Sequence, residues 1–424
     1  RRQRQMCIRD RISMRYFCYS DFYAFAVPQE FIMDLFAKCN NGLLREVKEQ
    51  NLYPYFHELQ SRQGPEVIME GKRRIMLGSN NYLGLTTHPD VIKAAEDAVK
   101  KYGTGCSGSR FLNGTLDIHV DLERRLSAFL GKECAVTFST GFQSNLGIIS
   151  AIAGRGDYIL NDRENHASIY DACKLSYATT LRYKHSDMAD LERRLQSIPE
   201  EAGKLIVTDG VFSMGGDICK LPEIVALAEK YGARVMVDDA HSLGVIGNGG
   251  RGTADHFGLT DKVDIIMGTF SKSLASLGGF MAADKNVCDY VRHCSRPFIF
   301  SASMTPSSCA AASAALKVLE ENPGLPERLA ELSDYLRNGL KEHGVKVRES
   351  SVTPIVPIYT YTLMKTLICD KALFENGVYV NPVLSPAVPE GECLLRLSLM
   401  ATHTKPLIDE AMNIVAKVYH EQIA

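Results

Sequence analysis

The feature that most constrains the fold is an alternation of short apolar, β-branched runs with segments of helical periodicity. The clearest strand predictions are Cys134–Phe138, Leu205–Asp209, Ala233–Asp238 and Ile265–Gly268. Helical spacing occurs at Leu116–Leu130, Leu221–Tyr231 and Asn286–His293. This alternation predicts an α/β fold, with a mainly parallel central sheet flanked by helices. Ligands of such sheets bind beyond the carboxyl ends of the strands, where Asp238 and Thr269 fall.

The composition changes after Pro306 and indicates a second, smaller unit. Two long helices, two strands and a last helix are predicted at Ala310–Leu319, Pro326–His343, Ile355–Tyr361, Leu394–Leu399 and Lys405–Tyr419. We therefore predict an N-terminal segment (35–85), a large ligand-binding domain (86–306) and a small C-terminal α+β domain (307–424).

The first 34 residues do not match the rest of the chain. Arg1–Arg11 is basic and has no apolar core of the kind that a secretory signal needs. We expect residues 1–34 to be extraneous or disordered. A mitochondrial presequence is the alternative, because the segment is rich in arginine, but it lacks an amphipathic period.

Charge and hydropathy exclude several classes of partner. The 424 residues carry a formal net charge of −2, which argues against nucleic acid as a partner. The sequence contains no apolar run long enough to predict an integral membrane span. Its 12 cysteines are scattered singly, without a C-x-x-C pair, and this favours a reducing cytoplasm over a disulfide framework.

Lys272 and Asp238 together predict a site for pyridoxal phosphate (PLP). A lysine amine forms a Schiff base with an aldehyde, and the hydroxyl residues of Gly268–Gly279 can hold a phosphate. A carboxylate at a strand end can meet the nitrogen of a pyridine ring, while the cofactor supplies the electron sink. Alone, the lysine segment reads as an ordinary serine-rich surface loop. Its combination with Asp238 reverses that interpretation.

Other motifs in the sequence allow more than one interpretation. Ser139–Gly147 follows a strand and opens a helix, so the amides of Gly141 and Phe142 can seat a phosphate. Gly103–Gly108 has the spacing of a dinucleotide motif, but a predicted helix precedes it where a strand is required. A metal site around Asp238 and His241 is set aside, because no second ligand group has matching spacing. The absence of G-x-S-x-G argues against a serine hydrolase.

From about Leu35 to its end, the chain resembles the α-oxoamine synthases, which are PLP-dependent transferases of fold type I. The resemblance rests on Gly78–Leu85, Tyr102–Thr115, Asp209–Met214, Val237–Gly244, Gly268–Gly279 and Ser398–Thr404. Tyr102–Thr115 and Asn381–Pro389 favour the branch of the family that uses L-serine.

The resemblance implies a role for each matched residue of the cofactor site. Three catalytic residues are implied: Lys272 as the Schiff-base lysine, Asp238 at the ring nitrogen and His166 stacked on the ring. Further cofactor contacts are implied for Gly141, Phe142, Ser213, His241 and Thr269. Ser301 and Ser303 match a segment that reaches the phosphate of a partner subunit, which implies a homodimer.

Asn81 and Arg396 match positions of the substrate site. Some relatives carry an arginine for the substrate carboxylate where Leu384 stands here. This departure implies that Arg396 serves that carboxylate here, or that the carboxylate is held in another way.

The implied activity is condensation of L-serine with palmitoyl-CoA, or a similar long acyl-CoA, with loss of carbon dioxide, to give 3-ketosphinganine. The alternatives are a glycine-using sister such as 2-amino-3-ketobutyrate CoA ligase, or an 8-amino-7-oxononanoate synthase. A non-catalytic partner subunit is disfavoured, because Lys272, Asp238 and His166 are all present.

Overall fold

The computed structural model describes residues 34–385 and 387–423. The predicted extraneous segment, residues 1–34, therefore lies outside the described residues except for Asp34. The N-terminal elements are α1 (Gly42–Glu49), β1 (Glu66–Met69), β2 (Lys72–Met76), α2 (Pro89–Tyr102) and α3 (Asp117–Leu130). A helix, α2, precedes the glycine-rich turn at Gly103, in agreement with the argument against a dinucleotide site.

A seven-stranded sheet with the order β3-β9-β8-β7-β6-β4-β5 forms the centre of the molecule. Its elements in chain order are β3 (Cys134–Phe138), α4 (Gly141–Ile152), β4 (Tyr158–Asp162), α5 (Ala167–Leu175), β5 (Thr179–Tyr183), α6 (Met188–Gln196), β6 (Lys204–Asp209), α7 (Leu221–Tyr231), β7 (Arg234–Asp238), α8 (Thr253–His256), β8 (Ile265–Thr269), β9 (Gly279–Ala283), α9 (Lys285–Cys294) and α10 (Arg296–Ile299). The prediction of a mainly parallel sheet is confirmed, with β9 antiparallel to both of its neighbours.

Strands β6 and β8 in the middle of the sheet are buried along their whole length, which explains why they appear in the sequence as mainly apolar runs. Such burial is expected for parallel strands covered on both faces. The register pairs Asp209 directly with Asp238, so two carboxyl groups lie side by side at the carboxyl edge of the sheet. Pro222 in the first turn of α7 and Gly232 in the left-handed conformation after it bound the helix where the sequence predicted.

The C-terminal part carries a smaller antiparallel sheet with the order β10-β13-β12. Its elements are α11 (Pro306–Glu321), α12 (Leu325–Glu342), β10 (Ile355–Tyr361), α13 (Leu363–Glu375), β11 (Val378–Tyr379), β12 (Asn381–Val383), β13 (Cys393–Ser398) and α14 (Lys405–Gln422). Helix α13 escaped prediction because its apolar residues do not form a distinct stripe, so the helical period is weak.

The N-terminal segment packs on this small sheet and thereby helps to build the site. Strand β11 pairs in parallel with β2, so the first sheet combines both ends of the chain. The amide of Ser398 donates to the carbonyl of Leu77 at 2.7 Å, and the amide of Ala401 donates to that of Tyr82 at the same distance. Residues 77–82 therefore lie along β13 and its continuation. Helix α11 also packs against α2, and the predicted boundary at residue 306 stays a prediction.

Among the helices of residues 34–385 and 387–423, none has the length and apolarity needed to cross a lipid bilayer. The cysteines in this part of the chain are free thiols.

Candidate active site

Asp238 ends β7 and is held at both of its carboxylate oxygens. Oδ1 accepts from the amide of Ala240 at 3.0 Å, and Oδ2 accepts from Nδ2 of Asn145 at 2.7 Å. The neighbouring Asp209 is buried, and burial together with the charge of Asp238 raises the pKa of Asp209 well above its usual value. This edge of the sheet therefore presents one firmly oriented carboxylate beside a second carboxyl group that favours its neutral form.

Lys272 projects from the loop that joins β8 to β9. The loop closes on itself, because the amide of Ala275 donates to the carbonyl of Lys272 at 3.1 Å, with Ala275 in the left-handed conformation at φ 54°. Burial lowers the pKa of the Lys272 amine, the charge of Asp238 opposes this and that of Arg396 adds to it, and the net result is a pKa of about 8. Near neutral pH a useful fraction of this amine is unprotonated and nucleophilic.

His166 forms the N-cap of α5 and is exposed at the opening of the site. Its backbone amide donates to Oδ1 of Asp209 at 3.3 Å, and its Nδ1 accepts from the amide of Ser168 at 3.2 Å. The surrounding protein lowers the pKa of the imidazole by desolvation, against the opposing charge of Asp238. The ring of Phe142 lies edge-on at 6.4 Å between centroids. This shift favours the neutral imidazole, and the stacking role of His166 stays a prediction.

The start of α4 faces the hydroxyl groups that follow β8. Thr140 caps the helix by accepting from the amide of Gln143 at 3.1 Å, while the first amides, those of Gly141 and Phe142, have no intrahelical partner. A Cβ at Gly141 would lie 2.7 Å from Oγ1 of Thr269, so only glycine allows this approach. Oγ1 of Thr269 is also 2.9 Å from Oγ of Ser271. The first amides of α4 and the hydroxyls of Thr269 and Ser271 therefore lie close together, an arrangement that suits an anion.

Arg396 on β13 is buried and tied to residues from three segments. Its Nη2 donates to Oδ1 of Asn80 at 2.9 Å and to the Tyr82 hydroxyl at 3.1 Å. Its Nε donates to the carbonyl of Ser213 at 2.6 Å, and its Nη1 to Oγ of Ser398 at 3.4 Å. These contacts occupy four of the five guanidinium N–H groups, which leaves one Nη1 hydrogen for a ligand.

His241 and this guanidinium both contact the hydroxyl of Tyr82. Nδ1 of His241 is 2.7 Å from that hydroxyl. Burial lowers the pKa of His241 well below its usual value, and the nearby charges of Lys272 and Arg396 act in the same direction. Lys272, Arg396 and His241 are therefore close enough to share one electrostatic environment.

Asn81, predicted for the substrate site, directs its amide elsewhere among the described residues. Its Nδ2 donates to Oγ1 of Thr86 at 2.8 Å and to the carbonyl of Gln63 at 3.3 Å. The preceding residue, Asn80, is the one that contacts Arg396. The role of Asn81 toward substrate stays a prediction.

Ser301 and Ser303 follow α10 and line a small cavity with Arg110, Ser139 and Gln143. Oγ of Ser303 donates to the carbonyl of Gly108 at 3.1 Å. The structure thus places both serines next to the glycine-rich turn and the start of α4. Their predicted contact with a partner subunit stays a prediction.

Leu384 occupies an apolar environment formed with Val47, Leu367 and Cys393. A buried leucine offers no donor for a carboxylate. Arg396, in contrast, is close enough to Lys272 for its charge to lower the pKa of that amine.

Four residues of the site were missed as functional candidates: Asn80, Tyr82, Asn145 and Ser168. Asn80 and Tyr82 lie in the motif Gly78–Leu85, Asn145 lies in Ser139–Gly147, and Ser168 comes two residues after His166. The sequence motifs pointed to these segments, but the direction of each side chain depends on packing between distant segments.

The residues present fit a phosphorylated pyridine aldehyde. The amides at the start of α4, with Thr269 and Ser271, provide a phosphate seat. Asp238 provides an acceptor for a protonated ring nitrogen, and Lys272 provides an amine of lowered pKa for the aldehyde. The chemistry of this donor set matches the sequence-based expectation of PLP.

Comparison with known proteins gives a consistent result. The family profile "Aminotransferase class I and II" matches residues 72–415. A serine palmitoyltransferase of Sphingobacterium spiritivorum is 55% identical over 90% of this chain and 95% of its own length. An 8-amino-7-oxononanoate synthase of Thermoanaerobacter pseudethanolicus is 43% identical over 88% of this chain and 95% of its own length. A solved structure of serine palmitoyltransferase with PLP has a TM-score of 0.89 at 39% identity, covering 92% of this chain and 99% of that protein.

Proposed function

The chain belongs to the aminotransferase class I and II family, and from this premise we propose that it condenses L-serine with palmitoyl-CoA, or a similar long acyl-CoA, to give 3-ketosphinganine. It is a PLP-dependent acyltransferase of the serine palmitoyltransferase type, and PLP is its cofactor. In the proposed reaction a bond forms between Cα of serine and the acyl carbonyl carbon. The thioester C–S bond breaks, and the serine carboxylate leaves as carbon dioxide.

The residues that would hold PLP are those of the described edge of the sheet. The start of α4 with Thr269 would hold the phosphate, Asp238 the ring nitrogen and Lys272 the aldehyde carbon. When bound, the cofactor supplies an electron-accepting ring that stabilises negative charge at Cα of the amino acid.

Lys272 carries the proton transfers in this proposal. An amine whose pKa is lowered to about 8 is unprotonated often enough to act as a base, and its protonated form can return the proton. With an amino acid bound at the site, Nζ of Lys272 would accept the Cα proton. Burial around the site limits exchange of that proton with water.

The observation that carries the proposal is the buried Arg396 guanidinium in the same environment as Lys272 and His241. Its contacts with Asn80, Tyr82 and Ser213 fix its plane, and one Nη1 hydrogen remains for a carboxylate. We propose that this hydrogen and Nε2 of His166 hold the serine carboxylate. These two hydrogen bonds would fix the orientation of the amino acid and so determine which Cα bond is weakened.

The test is a substrate panel with the purified, PLP-loaded protein. L-serine, glycine and L-alanine are each combined with palmitoyl-CoA and acetyl-CoA, and L-alanine also with pimeloyl-CoA. Release of the CoA thiol gives the rate, and mass spectrometry identifies the product. We expect L-serine with palmitoyl-CoA to be much the fastest pair, because a site that hydrogen-bonds the hydroxyl leaves polar groups unpaired with glycine or alanine.

A second candidate, 8-amino-7-oxononanoate synthase, is favoured by the 43% identity to that enzyme. Preference for L-alanine with pimeloyl-CoA would support it. Preference for glycine with acetyl-CoA would instead support the aminoketobutyrate reaction. Either result would overturn the serine proposal and leave the cofactor site unchanged.

We further propose that the protein acts as a homodimer in a reducing cytoplasm. Phe111, Leu112 and Phe300 are exposed apolar residues next to the glycine-rich turn and the Ser301–Ser303 segment, where a second copy would cover them. The free cysteines of the described residues support the reducing compartment. Light scattering at assay concentrations tests the assembly, and a fully active monomer would contradict it.

A further inference from the structure

We propose that Asn145 and Ser168 are positioning residues that hold the His166 imidazole with its proton on Nε2. They form a buried chain of hydrogen bonds that joins Asp238 to His166. The Asn145 amide contacts both Oδ2 of Asp238, at 2.7 Å, and Oγ of Ser168, at 2.8 Å. Oγ of Ser168 is in turn 2.7 Å from Nδ1 of His166.

The direction of each bond follows from the donors available. An ionised carboxylate only accepts, so the Asn145 atom that faces Asp238 must be its amide nitrogen. That nitrogen has two hydrogens, and the second is donated to Oγ of Ser168. Oδ1 of Asn145 has no hydrogen-bond partner among the described residues, so the two donations determine the orientation of the amide.

Ser168 then has one hydrogen to give, and Nδ1 of His166 is the atom in reach. The backbone amide of Ser168 donates to the same Nδ1 at 3.2 Å. A backbone N–H cannot accept, so Nδ1 must present its lone pair to both groups. The imidazole proton of the neutral ring is therefore on Nε2.

Two further features support this arrangement. Asn145 and Ser168 are each about 99% buried, so water does not compete for these bonds. His166 caps the N-terminus of α5, where the helix dipole disfavours a positive charge on the ring. Within residues 34–385 and 387–423, no group is hydrogen-bonded to Nε2, so this N–H is available to a ligand that accepts a hydrogen bond.

The consequence for function rests on the proposed substrate. A serine carboxylate accepts hydrogen bonds, so it needs Nε2 in its N–H form. With the proton on Nδ1, the same ring would present a lone pair to the carboxylate and repel it. Asn145 thus links the orientation of the Asp238 carboxylate, which would contact the cofactor, to the Nε2–H of His166, which would contact the amino acid.

The decisive measurement is the tautomer itself. Protein labelled with [15N]histidine is examined by solid-state 15N NMR, with and without PLP, and the His166→Asn variant assigns the His166 signals. We expect an unprotonated-type shift for Nδ1 and a protonated-type shift for Nε2. A protonated Nδ1 in the unmodified protein would overturn the proposal.

The Ser168→Ala variant tests the positioning role, with Ser333→Ala as its control. Ser333 is equally buried on a helix, and its hydroxyl donates to the carbonyl of Leu329 at 2.6 Å, outside the described site residues. Ser168→Ala keeps only the longer backbone donor to Nδ1, at 3.2 Å, and loses the hydroxyl at 2.7 Å. We expect a detectable Nδ1-protonated population, and L-serine binding, measured by calorimetry, weakened about five- to tenfold. Ser333→Ala should change neither quantity.

An unchanged tautomer and unchanged L-serine affinity in Ser168→Ala would show that the hydroxyl is merely structural. If the unmodified protein has the expected tautomer but prefers another amino acid, the positioning role stands and the proposed substrate fails. In that case, the affinity of the preferred amino acid replaces that of L-serine in the comparison.

Discussion

Two histidines follow neighbouring parallel strands of the central sheet and have opposite environments. His166 comes after β4 and receives hydrogen-bond donors at Nδ1, from the amide and the hydroxyl of Ser168. His185 comes after β5 and lies between two carboxylates, with Nδ1 3.0 Å from Asp162 and Nε2 2.9 Å from Asp217. The same side chain is therefore set for a neutral form in one place and for a charged form in the other.

The pKa shifts of the two rings express this difference. Desolvation lowers the pKa of both, but at His185 the hydrogen bonds to Asp162 and Asp217 outweigh it and raise the pKa to about 10. Desolvation prevails at His166, whose pKa stays lowered. His185 uses both ring nitrogens within the protein, whereas His166 keeps Nε2 for a ligand. We infer that His185 has a structural role and His166 a functional one.

The carboxylates around His185 are grouped closely enough to suggest a metal site, with Glu164, His185 and Asp217 in one cluster. Arg348 already supplies a cation there, at 3.7 Å from Glu164 and 3.9 Å from Asp217. A protonated His185 adds a second positive charge. These two cations offset two of the three carboxylates there, Asp162, Glu164 and Asp217, so the chain itself supplies counter-charges to the cluster.

The largest effect is expected from Lys272→Ala, which removes the cation that faces His166 and Asp238. We expect CoA release to fall by about 10³-fold or more, because the variant loses both its covalent attachment point and its base. The fold should persist, since a buried amine of lowered pKa does not stabilise the apoprotein. Activity assays, and mass spectrometry after borohydride reduction in the presence of PLP, measure these effects.

Lys262→Ala is the matched control, because Lys262 is exposed and pairs with Glu229 on the surface. It should retain full activity and a reducible PLP adduct. A reducible adduct that persisted in Lys272→Ala would show that another lysine carries the cofactor.

Asp238→Asn should have the next largest effect. The amide keeps the size of the side chain but loses the charge that favours a protonated ring nitrogen, so turnover should fall about 10²-fold. An asparagine at 238 also turns its own donors toward Asn145 or Ala240 and disturbs the path to His166. Kinetics and the 15N spectrum of His166 should therefore change together. Near-normal turnover would refute the assigned role.

The sequence predicted the residues around Lys272 better than it predicted the position of Arg396 or the cluster around His185. Lys272, Asp238 and the start of α4 follow buried strands, so the sheet itself brings them to one edge. The approach of Arg396 to Lys272 was expected only from family resemblance. The orientation of Arg396 depends on Asn80 and Tyr82, which the pairing of residues 77–82 with β13 brings to it. That pairing joins segments more than 300 residues apart, and no local pattern encodes it.

The His185 cluster was not predicted at all. His185 is a single histidine in a polar turn, and its partners come from the ends of two other segments, at Asp162 and Asp217. The sequence showed these residues but not their proximity. For the same reason, the sequence identified Asn145 as part of a motif but did not predict its hydrogen bond to Asp238.

His185→Gln should show the reverse of the Lys272 result. Removing the cation leaves Asp162 and Asp217 buried without their common partner, which we expect to cost about 2–4 kcal/mol of unfolding free energy. Activity of the folded variant should change only slightly, since His166 and Lys272 are untouched. Urea unfolding and CoA release measure the two effects. His293→Gln, at an exposed histidine, should leave both unchanged.

The pH dependence of the His185 contribution is the smallest effect and the finest test of the comparison. The pKa of His185 is about 10 in the folded protein, above the value of about 6.5 in an unfolded chain. The folded state therefore holds a proton that the unfolded state has lost, so the stabilisation is complete below about pH 6.5 and disappears as the pH rises toward 10. The difference in unfolding free energy between the original protein and His185→Gln should shrink steadily over that interval. Because both proteins contain Lys272, its own titration near pH 8 cancels in the difference. A difference that stayed constant from pH 6.5 to 10 would show that His185 is neutral in the folded state, and the contrast with His166 would fail.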